Sequence, residues 1–265
     1  MKYTVASILI GCFTVLFLGS SAGQNSASSV TAQTAGKAPV VVELFTSEGC
    51  SSCPPADTLL KKLEEEQPIA NAEVIALEEH VDYWNQQGWT DPFSSPDATF
   101  RQQQYAATFK SDAPYTPQMI VDGRSQFVGN REGQAREQIE QAARLPRVQI
   151  SVTPKSPMTN RAEQFTVQVS KLNGDSAEVW LAVTERQLYS DVKAGENAGA
   201  NLHHAAVVRT LRKIGDAKPG NEVAFTGNTN VKIDSKWKSE NLHVVVFVQE
   251  KKTRHIVGAA AAPLA

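Results

Sequence analysis

Apolar residues first form one unbroken run, Val5 to Leu18, behind a short basic start at Met1-Lys2. After a polar interval they return as short blocks. Val40-Val41-Val42-Glu43-Leu44-Phe45 is β-branched and nearly continuous, the pattern of a strand covered on both faces. From Asp57 to Glu66, Leu59, Leu60 and Leu63 share one helical face and Pro68 closes the segment, which predicts an amphipathic helix. Glu73 to Leu77 reads as a second strand, and Gln118 to Gly123 with Ser125 to Val128 as a hairpin. Glu132 to Arg144 carries Ala135, Ile139 and Ala142-Ala143 at near-helical spacing. This order of strands and helices predicts an α/β domain with a mixed sheet over residues 39–146.

From Arg147 the period changes to two. Val148 to Val152, Phe165 to Val169 and Glu178 to Val183 alternate, and Asn173-Gly174 between the last two predicts a hairpin turn. Leu242 to Val248 and His255 to Gly258, joined by Glu250-Lys251-Lys252, predict another hairpin. Residues 147–265 are therefore expected to form a mainly-β, sandwich-like second domain.

The first apolar run decides the expected compartment. It follows a positive start and precedes Ser20-Ser21-Ala22, which places small residues before a cleavage point after Ala22. That is the pattern of a secretory signal peptide at residues 1–22, and the run is shorter than the roughly 20 residues a membrane-spanning helix needs. Cys12 sits inside the run rather than after it, which speaks against a lipid anchor. Residues 23–38 are Ser, Ala, Thr and Gly with little to bury, a flexible leader. The expected location is periplasmic or secreted, with no membrane span after cleavage.

Composition narrows the field further. In 265 residues, 41% are apolar and 20% charged, with a net charge of −2, so the chain is neither disordered nor disulfide-dense. A near-neutral balance lacks the basic field that nucleic acid or an anionic membrane would require. Of three cysteines, signal cleavage would remove Cys12 and leave Cys50 and Cys53.

Cys50-Ser51-Ser52-Cys53 follows the first strand and precedes the first helix. Pro54 and Pro55 are tolerated only in a helix's first turn, so the helix must begin at about Ser51 to Cys53. The Cys50 sulfur then faces free backbone N–H groups at the positive end of the helix dipole, where thiolate is favoured. A two-residue spacer lets Cys53 close a disulfide that exchange can reopen. A purely structural bridge over so short a loop would remove little unfolded-state entropy. Half of a zinc site would need a second Cys pair, which the sequence lacks.

Further along, Tyr115-Thr116-Pro117-Gln118 puts a proline at the first residue of a strand, where X-Pro is the one inexpensive site for a cis peptide. Strand, CxxC helix, strand, Thr-Pro hairpin and final helix together resemble the thioredoxin fold over residues 39–146. The resemblance implies that Pro117 faces the disulfide and that Thr116 presents backbone to a bound substrate cysteine. Residues 42–57, His80 to Asn85 and Gly195 to Gly199 are similar to an exported bacterial family of thioredoxin-like proteins, domain-of-unknown-function family 1223. Gly49 and Ser51-Ser52 depart from ordinary thioredoxins, as does a longer segment from Trp84 to Lys110, so no redox potential is carried over.

The same resemblance places Glu43 where thioredoxins hold a buried acid that assists the resolving cysteine; the alternative is an edge or surface glutamate paired with a lysine. Glu48 reads as a solvated turn residue, and Arg101 to Tyr105 as a solvated helix face. If the second strand runs parallel to the first, His80 or Asp82 reaches the dithiol region and Trp84 or Trp89 walls a groove. Adjacent His203-His204 point to opposite faces of a strand and cannot share one metal, so they read as structural. No charge pattern in Gly195 to Gly199 suggests chemistry.

The expected function is an exported thiol–disulfide oxidoreductase with Cys50 and Cys53 as its reacting pair, supported by Thr116, Pro117 and Glu43, and needing no cofactor. Its partners would be protein thiols or disulfides of exported clients and an electron-transfer partner of unknown identity. Two alternatives stand beside it. One is copper binding or delivery through Cys50, Cys53 and His80, since two thiolates and an imidazole suit Cu(I). The other is a binding module whose bridge is redox-silent.

Overall fold

The computed structural model describes Met1 and residues 36–155 and 161–264, so the expected signal peptide and most of the leader lie outside the described residues. Strand β1 (Ala38–Thr46) is buried along almost its whole length, as its unbroken apolar run requires. It pairs in parallel with β2 (Ala72–His80), from Ala38↔Ala72 to Thr46↔His80. On its other side lies antiparallel β3 (Gln118–Val121), followed by β4 (Ser125–Val128). Asp122 and Gly123 turn that hairpin with φ of 48° and 63°, the mirror-image turn that suits strand twist.

Helix α1 (Pro54–Glu66) starts at the double proline and ends where Gln67 turns left-handed. Its Leu59, Leu60 and Leu63 meet Val40, Val42 and Leu44 of β1 and Ile139 of α3 (Glu132–Ala143) in one core cluster. The opposite face of β1 carries Phe45 against Tyr105 of α2 (Pro96–Phe109), a helix whose N-cap Ser95 accepts from Asp97 N. Burying each large apolar side chain contributes about 1.5–3 kcal/mol, so these two layers hold the sheet between helices.

The chain then builds β5 (Ile150–Pro154), β6 (Ala162–Ser170), β7 (Ala177–Asp191), β8 (Asn201–Ala217), β9 (Val223–Lys232), β10 (Leu242–Glu250) and β11 (Ile256–Pro263). One eight-stranded mixed sheet has the order β11-β10-β7-β8-β2-β1-β3-β4, and a three-stranded sheet has the order β5-β6-β9. Phe165 and Val167 of the small sheet interdigitate with Leu181, Val244 and Val246 of the large one. The large sheet crosses residue 146 without a break, because β8 pairs in parallel with β2 at Glu78↔Val207. Beside few helices, the described architecture is mainly β.

The β10–β11 hairpin forms as expected. Asn173-Gly174 does not make the expected hairpin. β6 pairs with β5 and β9 while β7 pairs with β8 and β10, so that turn carries the chain from one sheet to the other. Local turn chemistry supplied the reversal, and inter-sheet packing chose the partner strands. Among the described residues, no helix is long and apolar enough to cross a membrane.

Candidate functional site

Cys50 and Cys53 are joined by a disulfide, with Cα atoms 5.4 Å apart, in the turn between β1 and α1. Cys53 is the N-cap of α1, and its carbonyl accepts from Ala56 N and Asp57 N. The parallel register puts this turn at the carboxyl ends of both β1 and β2, the edge where open α/β sheets bind ligands. The Thr116–Pro117 peptide is cis. Thr116 Oγ1 donates to Cys50 Sγ at 3.4 Å and accepts from Trp84 Nε1 at 2.8 Å, so Cys50, Thr116 and Trp84 form one chain of contacts. A Cβ on Gly49 would stand 3.2 Å from Trp84 Cβ, so glycine lets the tryptophan close on the cysteine turn.

Neither cysteine is exposed, each having 0% relative accessibility. Their cover comes from residues 192–200, the tip of the long β7–β8 hairpin. Asn197 Nδ2 donates to the carbonyls of Glu48 (2.8 Å) and Cys50 (3.0 Å), and Glu196 Oε2 accepts from Ser51 N at 3.1 Å. Bonds from Ser51 hold the Glu196 carboxyl below its ordinary pKa. Gly195, at φ +76°, lies against Trp89, where a Cβ would approach Trp89 Cβ to 3.0 Å. The loop carries no chemical motif of its own. Its role comes from partners about 145 residues away.

Beneath the turn lies a buried array of carboxylates and imidazoles. Residues 78–80 alternate across β2, so Glu78 and His80 face α1 while Glu79 faces the other side. His80 Nδ1 is 2.7 Å from Asp91 Oδ2, and His204 Nε2 is 3.1 Å from Glu48 Oε1. Glu78 Oε1 lies 2.9 Å from His204 Nδ1 and 3.3 Å from His80 Nε2. Glu48 also accepts from Trp89 Nε1 at 2.7 Å, and its own N–H donates to Asp91 at 2.8 Å. The expectation of a solvated Glu48 is therefore corrected: it is buried and tied to β8, through a partner 156 residues along the chain.

Burial works to lower the pKa of both histidines, but the facing carboxylates outweigh it. Asp91 and Glu78 hold His80 well above its ordinary value, and Glu78 and Glu48 bring His204 to about 9. Burial pushes Glu78 upward, yet the two imidazoles hold it at about 2. His203 and His204 do point to opposite faces, His203 exposed and His204 buried.

Asp57 is the acid that sequence reading missed. It lies on α1 four residues after Cys53, its N–H bonded to the Cys53 carbonyl, and its Oδ1 accepts from Thr46 Oγ1 at 2.6 Å. Burial, together with the Glu78 charge, raises its pKa to about 7. Its helical position beside the double proline marks an acid facing inward once the helix phase is known.

Glu43 is buried, but on the opposite face of β1. Arg101 and Tyr105 of α2 take its two carboxylate oxygens, so its partner is an arginine rather than the surface lysine of the alternative reading. The expected solvated face at Arg101 to Tyr105 is likewise corrected: Arg101, Gln102 and Tyr105 are buried. Arg101 also donates to Gln249 Oε1 of β10 at 3.2 Å. A polar run looks solvated by pattern alone, whereas buried acids on the sheet draw it inward. Asp82 accepts from Thr99 Oγ1 and makes no described contact with the cysteines.

The chain is similar to a crystal structure of an Agrobacterium tumefaciens protein, at 26% identity and a TM-score of 0.64, over 86% of this chain and 96% of that one. Two β-glucuronidase structures, one from Bacteroides uniformis and one of glycoside hydrolase family 2, match at 14% identity. Their TM-scores are 0.24 and 0.23, over 42% and 43% of this chain and 12% and 11% of those chains, too weak to carry an argument. No curated protein matches the chain. Residues 41–249 match the family described as a protein of unknown function, DUF1223, and the chain belongs to that family.

Proposed function

We propose that this protein is an exported thiol–disulfide oxidoreductase, with residues 39–146 acting as a thioredoxin-like domain. The observation that carries the reading is the Cys50–Cys53 bond at the start of α1, with Thr116 Oγ1 3.4 Å from Cys50 Sγ and Pro117 next in sequence. In the reducing direction, Cys50 thiolate attacks a client disulfide, forms a mixed disulfide and expels one client thiolate. Cys53 thiolate then attacks Cys50 Sγ, re-forms the internal bond and expels the second client thiolate. Two electrons pass to the client, and Asp57, four residues after Cys53 on α1, would take the Cys53 proton. The reverse sequence oxidises a client dithiol.

Residues 1–22 direct export in this reading, and the clients are exported proteins with thiols or disulfides. A Cys53→Ser variant is expected to accumulate mixed disulfides with other proteins, and Cys50→Ser is not. Equal behaviour of the two variants would overturn the assignment. His80 turns Nδ1 to Asp91 and Nε2 toward Glu78, with no described contact to either cysteine, which favours redox chemistry over copper delivery by His80 with the cysteines.

The burial of both cysteines favours one second reading, a redox-silent bridge inside a binding module. A reduction potential below about −300 mV would support that reading, and a higher value the first.

A further inference from the structure

We infer that Glu78, His80 and His204 form a binding site for a divalent transition-metal ion, zinc by its donor set, separate from the cysteine pair. One ligand atom from each residue lies within 4.8 Å of the others, and all three residues are buried. Two imidazoles and one carboxylate are a recognised three-ligand zinc set that leaves a position open for a fourth ligand.

The surroundings distinguish this group from a chance cluster. Each histidine has one ring nitrogen held by a carboxylate, His80 by Asp91 and His204 by Glu48, and the other directed at Glu78. Outer carboxylates of this kind fix ring orientation and raise the basicity of metal-bound histidines. Glu78 is itself anchored, since its second oxygen accepts from Ala205 N. His80 Nε2 is buried, and its neighbour Glu78 Oε1, 3.3 Å away, pairs with it without completing a well-formed hydrogen bond. Buried imidazole nitrogens are normally hydrogen-bonded, and metal ligation would satisfy this one fully.

The donor set also sets selectivity. No sulfur belongs to the donor set, so the site favours zinc over soft Cu(I).

The test uses the full chain with its disulfide closed, stripped with a chelator and titrated with zinc by calorimetry. One zinc per chain is expected, with a rise in melting temperature. Glu78→Gln and His204→Asn should each weaken binding by about 100-fold or more, and Asp91→Asn by about 10- to 100-fold. A Cys50→Ser/Cys53→Ser variant should bind zinc as the parent does. Because variants in a buried cluster can fail to fold, cobalt loading of the unaltered protein gives a second readout. Ligand-field bands without a thiolate charge-transfer band are expected. The inference is overturned if the folded parent takes up no zinc, if cobalt shows thiolate charge transfer, or if a folded Glu78→Gln variant binds unchanged.

Discussion

Glu196 Oε2 accepts a hydrogen bond from Ser51 N at 3.1 Å, so the tip of the β7–β8 hairpin rests on the cysteine turn. With the two bonds from Asn197, it places a latch of a few hydrogen bonds over the disulfide. Each of the two Asn197 bonds is worth about 0.5–1.5 kcal/mol net. Asn197→Ala removes two and should speed reduction of Cys50–Cys53 by a small thiol by roughly tenfold, with a smaller gain for Glu196→Ala. The rate of thiol appearance under a fixed reductant checks this. Unchanged rates in both would mean that the loop does not gate the bond.

Thr116 couples the cysteine to Trp84. In the reduced protein its hydroxyl would stabilise Cys50 thiolate, so Thr116→Val should raise the Cys50 thiol pKa by about one unit. Ultraviolet thiolate absorbance followed against pH measures the shift. A pKa that does not move would remove Thr116 from the mechanism and leave it a role in packing.

Arg101 is the cation of a buried group, bonded to Glu43 and Gln249 and 3.4 Å from Glu79. Arg101→Met removes the cation from a buried pair of acids, Glu43 and Glu79, and should cost about 3–5 kcal/mol in denaturant unfolding. The double variant Arg101→Met/Glu43→Gln should recover part of that loss. If the single variant is as stable as the parent, Arg101 does not anchor α2 to the sheet.

His243 sets a pH dependence. Burial, with the adjacent Arg186 guanidinium, lowers its pKa to about 4 from an ordinary 6.5. The folded state keeps it neutral where the unfolded chain takes up a proton. Its contribution is therefore present above about pH 6.5 and is lost as pH falls toward 4. Stability of His243→Gln should fall less steeply across that window than stability of the parent. Parallel curves would show that other groups carry the acid sensitivity.

Much of this was readable locally. The continuous apolar run of β1, the double proline after the cysteines and the Thr-Pro pair each speak through near neighbours, and β1, α1 and the β3–β4 hairpin lie where those patterns point. Glu78 and His80 could be assigned to one face from strand alternation alone. Glu48 and Arg101 were misread because a charged residue in a polar stretch looks solvated until its partner is known. Those partners, His204, Glu43 and Gln249, lie 156, 58 and 148 residues away.

The amino-acid sequence by itself determined the strand and helix periods, the position of Cys50 and Cys53 at a helix start, and the proline at the head of β3. Steric limits on proline and the side-chain periods of strand and helix act over a few residues, so they need no knowledge of the rest of the chain. The tertiary structure alone decided that β8 joins β2, that Glu196 and Asn197 cover the cysteines, and that Glu78, His80 and His204 meet. Those outcomes depend on which distant surfaces bury one another. Hydrophobic burial is non-directional, so no local pattern names the partner.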